Sequence, residues 1–579
     1  MAASVLSVAE YFDNRGQLTN YQRRLILFRF IMKFDKAPSR NNKIRYGAEN
    51  WFMTASASGW LRKAALSICG LCLALTSVYG DAAETYTNPV IPGDHPDPSI
   101  IRVGREYWAT STSGDWGPEF PLLRSRDLVN WELRGAVFNQ RPDWAAGDFW
   151  APEITKFKER YHVYYAARKR GGPLAVGVAI ADKPGGPYVD QGLLVAQEDG
   201  SIDPALVFDE NGKPYLIWKE DGNSQGEPTP IWVQPLDDSG TKVTGQAVEL
   251  IRNDADWEGP LVEGPYILRR GDWFYLFYSG NGCCGGDCNY AMGVARSHKL
   301  LGPWEKNPAN PILAANDTWK CPGHGSIVTD RRGRYWLLYH AYSTGNSRFT
   351  GREGMLDEVV FGPDDWPVIN HGHGPSVEAP SPFGAIQQKV DAGFIDTFSD
   401  HTLLPGWQWP QDRQPKYEVI HDHLLLSAPQ MSTNFLDAVL ARSTPISDYE
   451  ATTTVDIESL KPGSAVGLCA FGDSADDAGI AIFDGHLMAW RRDQGKTDQM
   501  TLLGVVKGET ILLRLTAHHG KRFQLSASAD GKSWTPVGQA LDDKQMSAAD
   551  RSVRVALTVG EGRAAVGQFN SFSITSVLK

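Results

Sequence analysis

The chain has 579 residues, more than a single core accommodates and enough for two or three domains at the usual 100 to 200 residues each. Its formal net charge of -11 excludes the clustered cationic surface on which nucleic-acid binding depends, so a neutral polymer such as a polysaccharide suits it better as a partner. The 19 Trp and 20 Tyr supply flat apolar faces with polar edges, suited to a β-rich core or to stacking on sugar rings.

In chain order, residues 1–52 are read as an extension left by a mis-assigned start. Residues 53–83 follow, in which Leu61-Arg62-Lys63, an apolar run from Ala64 and small residues around Gly80 form a secretory signal. The run is too short to cross a bilayer, and small residues do not precede Cys69 or Cys72 in the lipoprotein manner. The expectation is a secreted or periplasmic protein without a stable membrane anchor. Five cysteines then remain, Cys283, Cys284, Cys288, Cys321 and Cys469. A structural disulfide such as Cys288 with Cys321 outranks zinc, which would need a second spaced pair of ligands, and the connectivity within the cluster stays open.

Beyond residue 84 the pattern is all-β. A polar turn followed by an aromatic strand recurs five times, at Val103-Gly-Arg-Glu-Tyr107, Lys158-Glu-Arg-Tyr161, Asn211-Gly-Lys-Pro-Tyr215, Arg270-Gly-Asp-Trp273 and Arg332-Gly-Arg-Tyr335. Successive first aromatics lie 54, 54, 58 and 62 residues apart, the length of a four-stranded unit. Five such units predict a five-bladed β-propeller over 84–375, which closes on itself and exposes no strand edge. A turn-rich linker at 376–393 leads to strands with hairpin signals such as Asp530-Gly531, predicting a second, β-sandwich domain over 394–579.

The chemistry lies just upstream of each repeated strand, where a propeller runs its axis-lining strand. There stand Asp97, Trp150 with Glu153, Asp203, Glu263 and His324, each 8 to 12 residues before its aromatic marker. Equivalent positions in a closed propeller converge, so the spacing gathers three acids, a Trp and a His into one site. Asp-Pro and Glu-Gly-Pro are usually mere turn formers. Three of them at matching offsets indicate function instead, because hydrolysis of a glycosidic bond needs one carboxyl to donate a proton and another to activate water. A third can hold the acid and raise its pKa. Glu258, in the near copy Trp257-Glu-Gly-Pro260, is read as a surface acid.

The opening Asn88-Pro-Val-Ile-Pro-Gly-Asp-His-Pro-Asp-Pro-Ser-Ile100 resembles glycoside hydrolase family 43, the β-xylosidases, α-L-arabinofuranosidases and arabinanases. The resemblance implies an inverting mechanism with Asp97 as general base, Glu263 as general acid and Asp203 tuning the acid. Trp150 of Trp-Ala-Pro would wall the first sugar subsite, and Arg352 of Gly351-Arg-Glu-Gly354 would bind sugar hydroxyls near the base. No cofactor is required on this reading, although relatives suggest a structural calcium at His324. The second domain, through Asp530-Gly-Lys-Ser-Trp-Thr-Pro-Val537, is similar to the concanavalin-like jelly-roll sandwich of β-xylosidase members, in which a sandwich loop closes the pocket and enforces exo cleavage. The implied activity is exo-release of β-D-xylose or α-L-arabinofuranose from hemicellulose-derived glycans or arabinan. An endo-1,5-α-L-arabinanase is the alternative within the class, and a non-catalytic carbohydrate-binding propeller the alternative outside it.

Overall fold

The five aromatic markers lie in the second strands of five antiparallel four-stranded sheets. The inner strands are Ser99–Val103, Ala145–Phe157, Ser201–Phe208, Val262–Arg270 and Trp319–Thr329, paired in turn with Glu106–Thr110, Arg160–Lys169, Pro214–Glu220, Trp273–Gly280 and Tyr335–Ser343. This is a computed structural model, and it describes residues 84–577 apart from 286, 346–349, 385, 390–392, 430–435, 474, 521, 543–551 and 562–563. The sequence segments 1–52 and 53–83 lie outside the described residues. Among the described residues no helix is long and apolar enough to cross a membrane.

The sheets form a ring because each buries both faces against its neighbours. Five apolar clusters separate successive blades: Phe120 with Ile154 and Tyr165, Tyr164 with Trp218, Tyr215 with Leu276, Phe277 with Leu337, and finally Trp336 of the fifth blade with Tyr107 of the first. The inner strands also bond to their neighbours around the axis. Ser99 Oγ accepts the Ile154 amide (2.9 Å), Asp203 accepts that of Gly264 (2.8 Å) and Ser326 Oγ that of Ile100 (2.8 Å). Blade-to-blade bonds of this kind satisfy backbone groups that a bulged strand leaves unpaired.

The ring is clasped at its ends. Thr85–Thr87 pairs with Glu378–Pro380, and the Asn88 amide group donates to the Leu356 carbonyl and Ser376. The stretch expected as a linker thus packs on the propeller, where Arg331 lies over the Phe383 ring.

From Gly393 onward two antiparallel sheets face each other, one of eight strands and one of six. In Tyr449–Asp456 every second residue is buried, the alternation of a strand with one face on a core, and Leu424, Leu468, Ile480, Leu513 and Phe569 fill the space between the sheets. The sandwich grips the propeller through Trp116, which sits among Val439, Ala441, Phe471 and Trp490. Trp409–Pro410 adds a short strand beside Trp116–Gly117. Arg554 completes the contact: it bonds Asp94 (3.1 Å) and Gln408 (3.0 Å), and its guanidinium lies 5.0 Å from the Trp116 ring.

Breaking a buried pair strands the partner charge, at a cost of about 3–5 kcal/mol. Arg554→Met should therefore lower the free energy of unfolding by that amount, seen as a lower denaturant midpoint, and an unchanged midpoint would show that the contact contributes nothing to stability.

Candidate active site

Each inner strand kinks where it meets the axis. Asp97, Ala151, Asp203, Gly264 and His324, one per blade, have φ of 52°, 45°, 56°, 61° and 40°. In blades two to five the pairing register shifts at these points. A bulge of this kind re-aims side chains, and holding a non-glycine residue there costs roughly 1–3 kcal/mol. Four of the five precede a proline, which excludes the right-handed helical conformation from the residue before it. The Asp-Pro, Trp-Ala-Pro and Glu-Gly-Pro motifs are these bulges. Asp97, Asp203 and His324 occupy equivalent positions, whereas Trp150 and Glu263 stand one residue earlier.

All five, with Arg352, line one cavity of about 250 Å³ on the propeller axis. Asp97 Oδ1 receives Arg352 (3.1 Å), with the Nδ1 atoms of His340 and His324 at 3.2 and 3.4 Å, and Oδ2 accepts from the Thr112 hydroxyl (2.7 Å). Burial alone would push this carboxyl up, but the Arg352 guanidinium and His324 outweigh it and hold Asp97 well below the usual carboxylate range. Asp97 is therefore an ionised acceptor. Trp150, packed on Ala166, Leu174 and Ile202, forms an apolar wall.

Glu263 is gripped differently. The buried Lys219 ammonium lies 3.0 Å from one of its oxygens and the Tyr290 hydroxyl donates to the other at 2.9 Å. Burial raises this carboxyl, but Lys219 more than offsets it, and Glu263 sits below its ordinary value. Asp203 carries the opposite shift, pushed up to about 6 by burial and by the negative charge of Glu263. The resemblance implied a raised Glu263 tuned by Asp203; in this arrangement the raised member of the pair is Asp203, because Lys219 sits on Glu263. Tyr290 stays protonated, burial and Glu263 both raising its hydroxyl.

Four residues of this site were not foreseen: Thr112, Lys219, Tyr290 and His340. His340 accepts the Asp97 amide at Nδ1 (3.0 Å), and burial pulls its imidazole down to about 4, so it holds the base's backbone as a neutral acceptor. The signal available for Lys219 was a cation directly after the apolar run Tyr215 to Trp218 of the second strand.

Two expectations change. Glu258 is not a surface acid but fully buried: it accepts the amides of Asp254 and Ala255 and the Tyr278 hydroxyl, and pairs with Lys306 at 2.7 Å. Its bonds make it the brace of a 3-10 turn, off the axial cavity. The sandwich, expected to close the pocket, contributes no lining side chain among the described residues; it presses instead on Trp116 and Asp94, which form the wall from behind. The expected disulfide Cys288 with Cys321 is present, and Cys283 is bonded to Cys284.

Residues 86–367 match the model of glycosyl hydrolases family 43, and residues 395–554 that of the β-xylosidase C-terminal concanavalin A-like domain. The chain belongs to glycosyl hydrolase family 43. It is 26% identical over 520 residues to a Vibrio xylan 1,3-β-xylosidase, a match spanning 80% of this chain and 92% of the Vibrio protein. To the xylosidase/arabinosidase 43B of Humicola insolens it is 28% identical over 411 residues, 66% of this chain and 74% of the other. The family 43 protein BlXynB of Bacillus licheniformis, 23% identical, superposes with a TM-score of 0.74 over 85% of this chain and all of that one, so the two share a fold. This family 43 chain is a glycoside hydrolase.

Lys219→Met tests the electrostatics. Losing the cation lets the Glu263 carboxyl rise, so it keeps its proton to higher pH. The alkaline limb of kcat/KM, which reports the free enzyme, should move up by roughly one to three units. A limb that stays in place would show that Lys219 does not set it.

Proposed function

We propose that this enzyme releases single pentose units, β-D-xylose or α-L-arabinofuranose, from the non-reducing ends of hemicellulose-derived glycans, by one displacement with inversion. The observation that carries the mechanism is that three carboxylates from three blades share one cavity while their surroundings push them toward different protonation states. Pairs of acids separated in this way divide into base and acid. The relatives' names, xylosidase and arabinosidase, supply the pentose.

In this reading Asp97, kept ionised by Arg352, takes a proton from water as the water oxygen bonds to the anomeric carbon. The glycosidic bond breaks, and Glu263 gives its proton to the leaving oxygen. On the acidic side of neutrality the coupled Asp203 and Glu263 pair holds one proton, Asp203 being the more basic of the two, and donation draws on the form in which that proton sits on Glu263. Lys219, 3.0 Å away, then stabilises the Glu263 carboxylate that donation leaves, which makes Glu263 a stronger acid. Arg352 is also placed to meet sugar hydroxyls beside the base. Trp150 offers its face to the terminal ring.

The chemistry uses no metal: water activation and leaving-group protonation are each assigned to a carboxyl. Among the described residues no group of three or more His, Cys, Asp and Glu is arranged to hold an ion. His324 Nδ1 lies beside Asp97 and, at 4.0 Å, Asp203, a set smaller than the six to eight oxygens calcium prefers, and no step passes through an ion there. The 53–83 segment fits export ahead of this domain.

A screen of 4-nitrophenyl β-D-xyloside, 4-nitrophenyl α-L-arabinofuranoside and debranched arabinan tests the substrate class; turnover of arabinan alone, with internal cleavage, would favour the endo reading. Glu263→Ala should fail on natural pentosides yet keep much of its activity on aryl pentosides with acidic phenols, whose departure needs no proton. Asp97→Ala should lose a factor of about 10² to 10⁴ on both. Equal impairment of Glu263→Ala on good and poor leaving groups would remove Glu263 from the acid role. Exhaustive chelation should leave kcat unchanged; a loss restored by added metal would contradict the metal-free scheme.

A further inference from the structure

The Cys283 and Cys284 pair is left unused by this mechanism, although both residues line the catalytic cavity and are half-buried there. The sulfurs of these adjacent residues are joined to each other. The segment carrying them leaves strand Trp273–Gly280, whose last residues Ser279 and Gly280 pair with Glu263 and Val262. It therefore emerges beside Glu263, at the end of the blade that faces the cavity, where Leu261 also lines the wall.

That segment is held firmly. The Asn281 side chain donates to the Trp257 carbonyl and accepts from Asn289 (3.1 Å), whose carbonyl oxygen in turn accepts the Gly282 amide (3.1 Å). Cys288 is tied to Cys321, three residues before His324 in the fifth blade, and both sulfurs pack with Cys283 on Tyr290 and Tyr342. Tyr290, the donor to Glu263, ends the same segment. One braced turn thus presents two bonded sulfurs to the cavity and a hydroxyl to Glu263.

Resting on the glycosidase reading, we infer that the Cys283–Cys284 disulfide is the floor of the leaving-group subsite, an apolar platform for the C–H face of the sugar whose oxygen Glu263 protonates. The chemistry fits: two bonded sulfurs are polarisable and offer no hydrogen-bond donor, and such a surface suits the apolar face of a pyranose or furanose ring rather than its hydroxyl edge. The position fits as well, since the sugar attached to the protonated oxygen must lie beside Glu263. Trp150, from the second blade, is then left to the sugar that is released.

The test compares substrates that do and do not fill this subsite. In the full chain, the double variant Cys283→Ser and Cys284→Ser should lower kcat/KM for 1,4-β-xylobiose or 1,5-α-arabinobiose by roughly tenfold, mainly through KM. The corresponding pentosyl fluoride, whose leaving group is a single atom, should be hydrolysed as fast as by the parent. Equal losses on both substrates, or none on either, would overturn the assignment. Should the double variant fail to fold, the single variants Cys283→Ala and Cys284→Ala, each of which removes this disulfide and leaves Cys288–Cys321 in place, give the same comparison. Failure of the parent to cleave any pentoside would count against the pentose-releasing reading itself, whereas selective loss on the disaccharide separates out the platform.

Discussion

Bringing several carboxyl groups to the axis of a closed ring is electrostatically unfavourable, and the site is built around that constraint. Asp97, Asp203 and Glu263 are all withdrawn from water in one cavity, where unpaired charges cost far more than at a surface. Each is compensated separately. Asp97 has Arg352 and the imidazole of His324, Glu263 has Lys219 and Tyr290, and Asp203 has the Gly264 amide and holds a proton to about pH 6. Burial pulls Lys219 toward neutrality, but Glu263 and Asp221 outweigh it and keep the ammonium charged. The compensation is local and asymmetric, and that asymmetry gives otherwise similar acids different work.

The backbone serves the same end. A straight inner strand would alternate its side chains between the two faces of its blade, and none would point along the axis. Strained bulges at Asp97, Ala151, Asp203 and His324, with Gly264 as the fifth, turn the chain so that the residue at or just before the bulge faces the cavity. Strain of this order persists because both blade faces are packed and the neighbouring blade bonds the displaced amides.

Much of this was legible in the sequence because propeller repeats repeat their chemistry. The spacing of Tyr107, Tyr161, Tyr215, Trp273 and Tyr335 located the second strands, and the motifs upstream of them located Asp97, Asp203 and Glu263. What stayed hidden depends on neighbours far away in the chain. Lys219, Tyr290 and His340 lie within or beside apolar strands, where a polar residue reads as a solvated face, and only the closed ring turns them toward the acids. Glu258 read as a surface acid because nothing nearby in sequence announces Lys306 or Tyr278. The sandwich was expected to reach into the pocket; its hold on Trp116 and Asp94 rests on Arg554, 460 residues from Asp94, which no local pattern reveals.

The account turns on Asp97 delivering water to the anomeric carbon directly, with no covalent sugar on the enzyme. A proton NMR time course of the parent enzyme on a β-D-xyloside, or on an α-L-arabinofuranoside if that is the better substrate, reads the anomer formed before mutarotation. The account predicts that the first sugar released has the opposite anomeric configuration to the substrate. First release with retained configuration would contradict it, because Asp97 or another carboxylate would then be acting as a nucleophile.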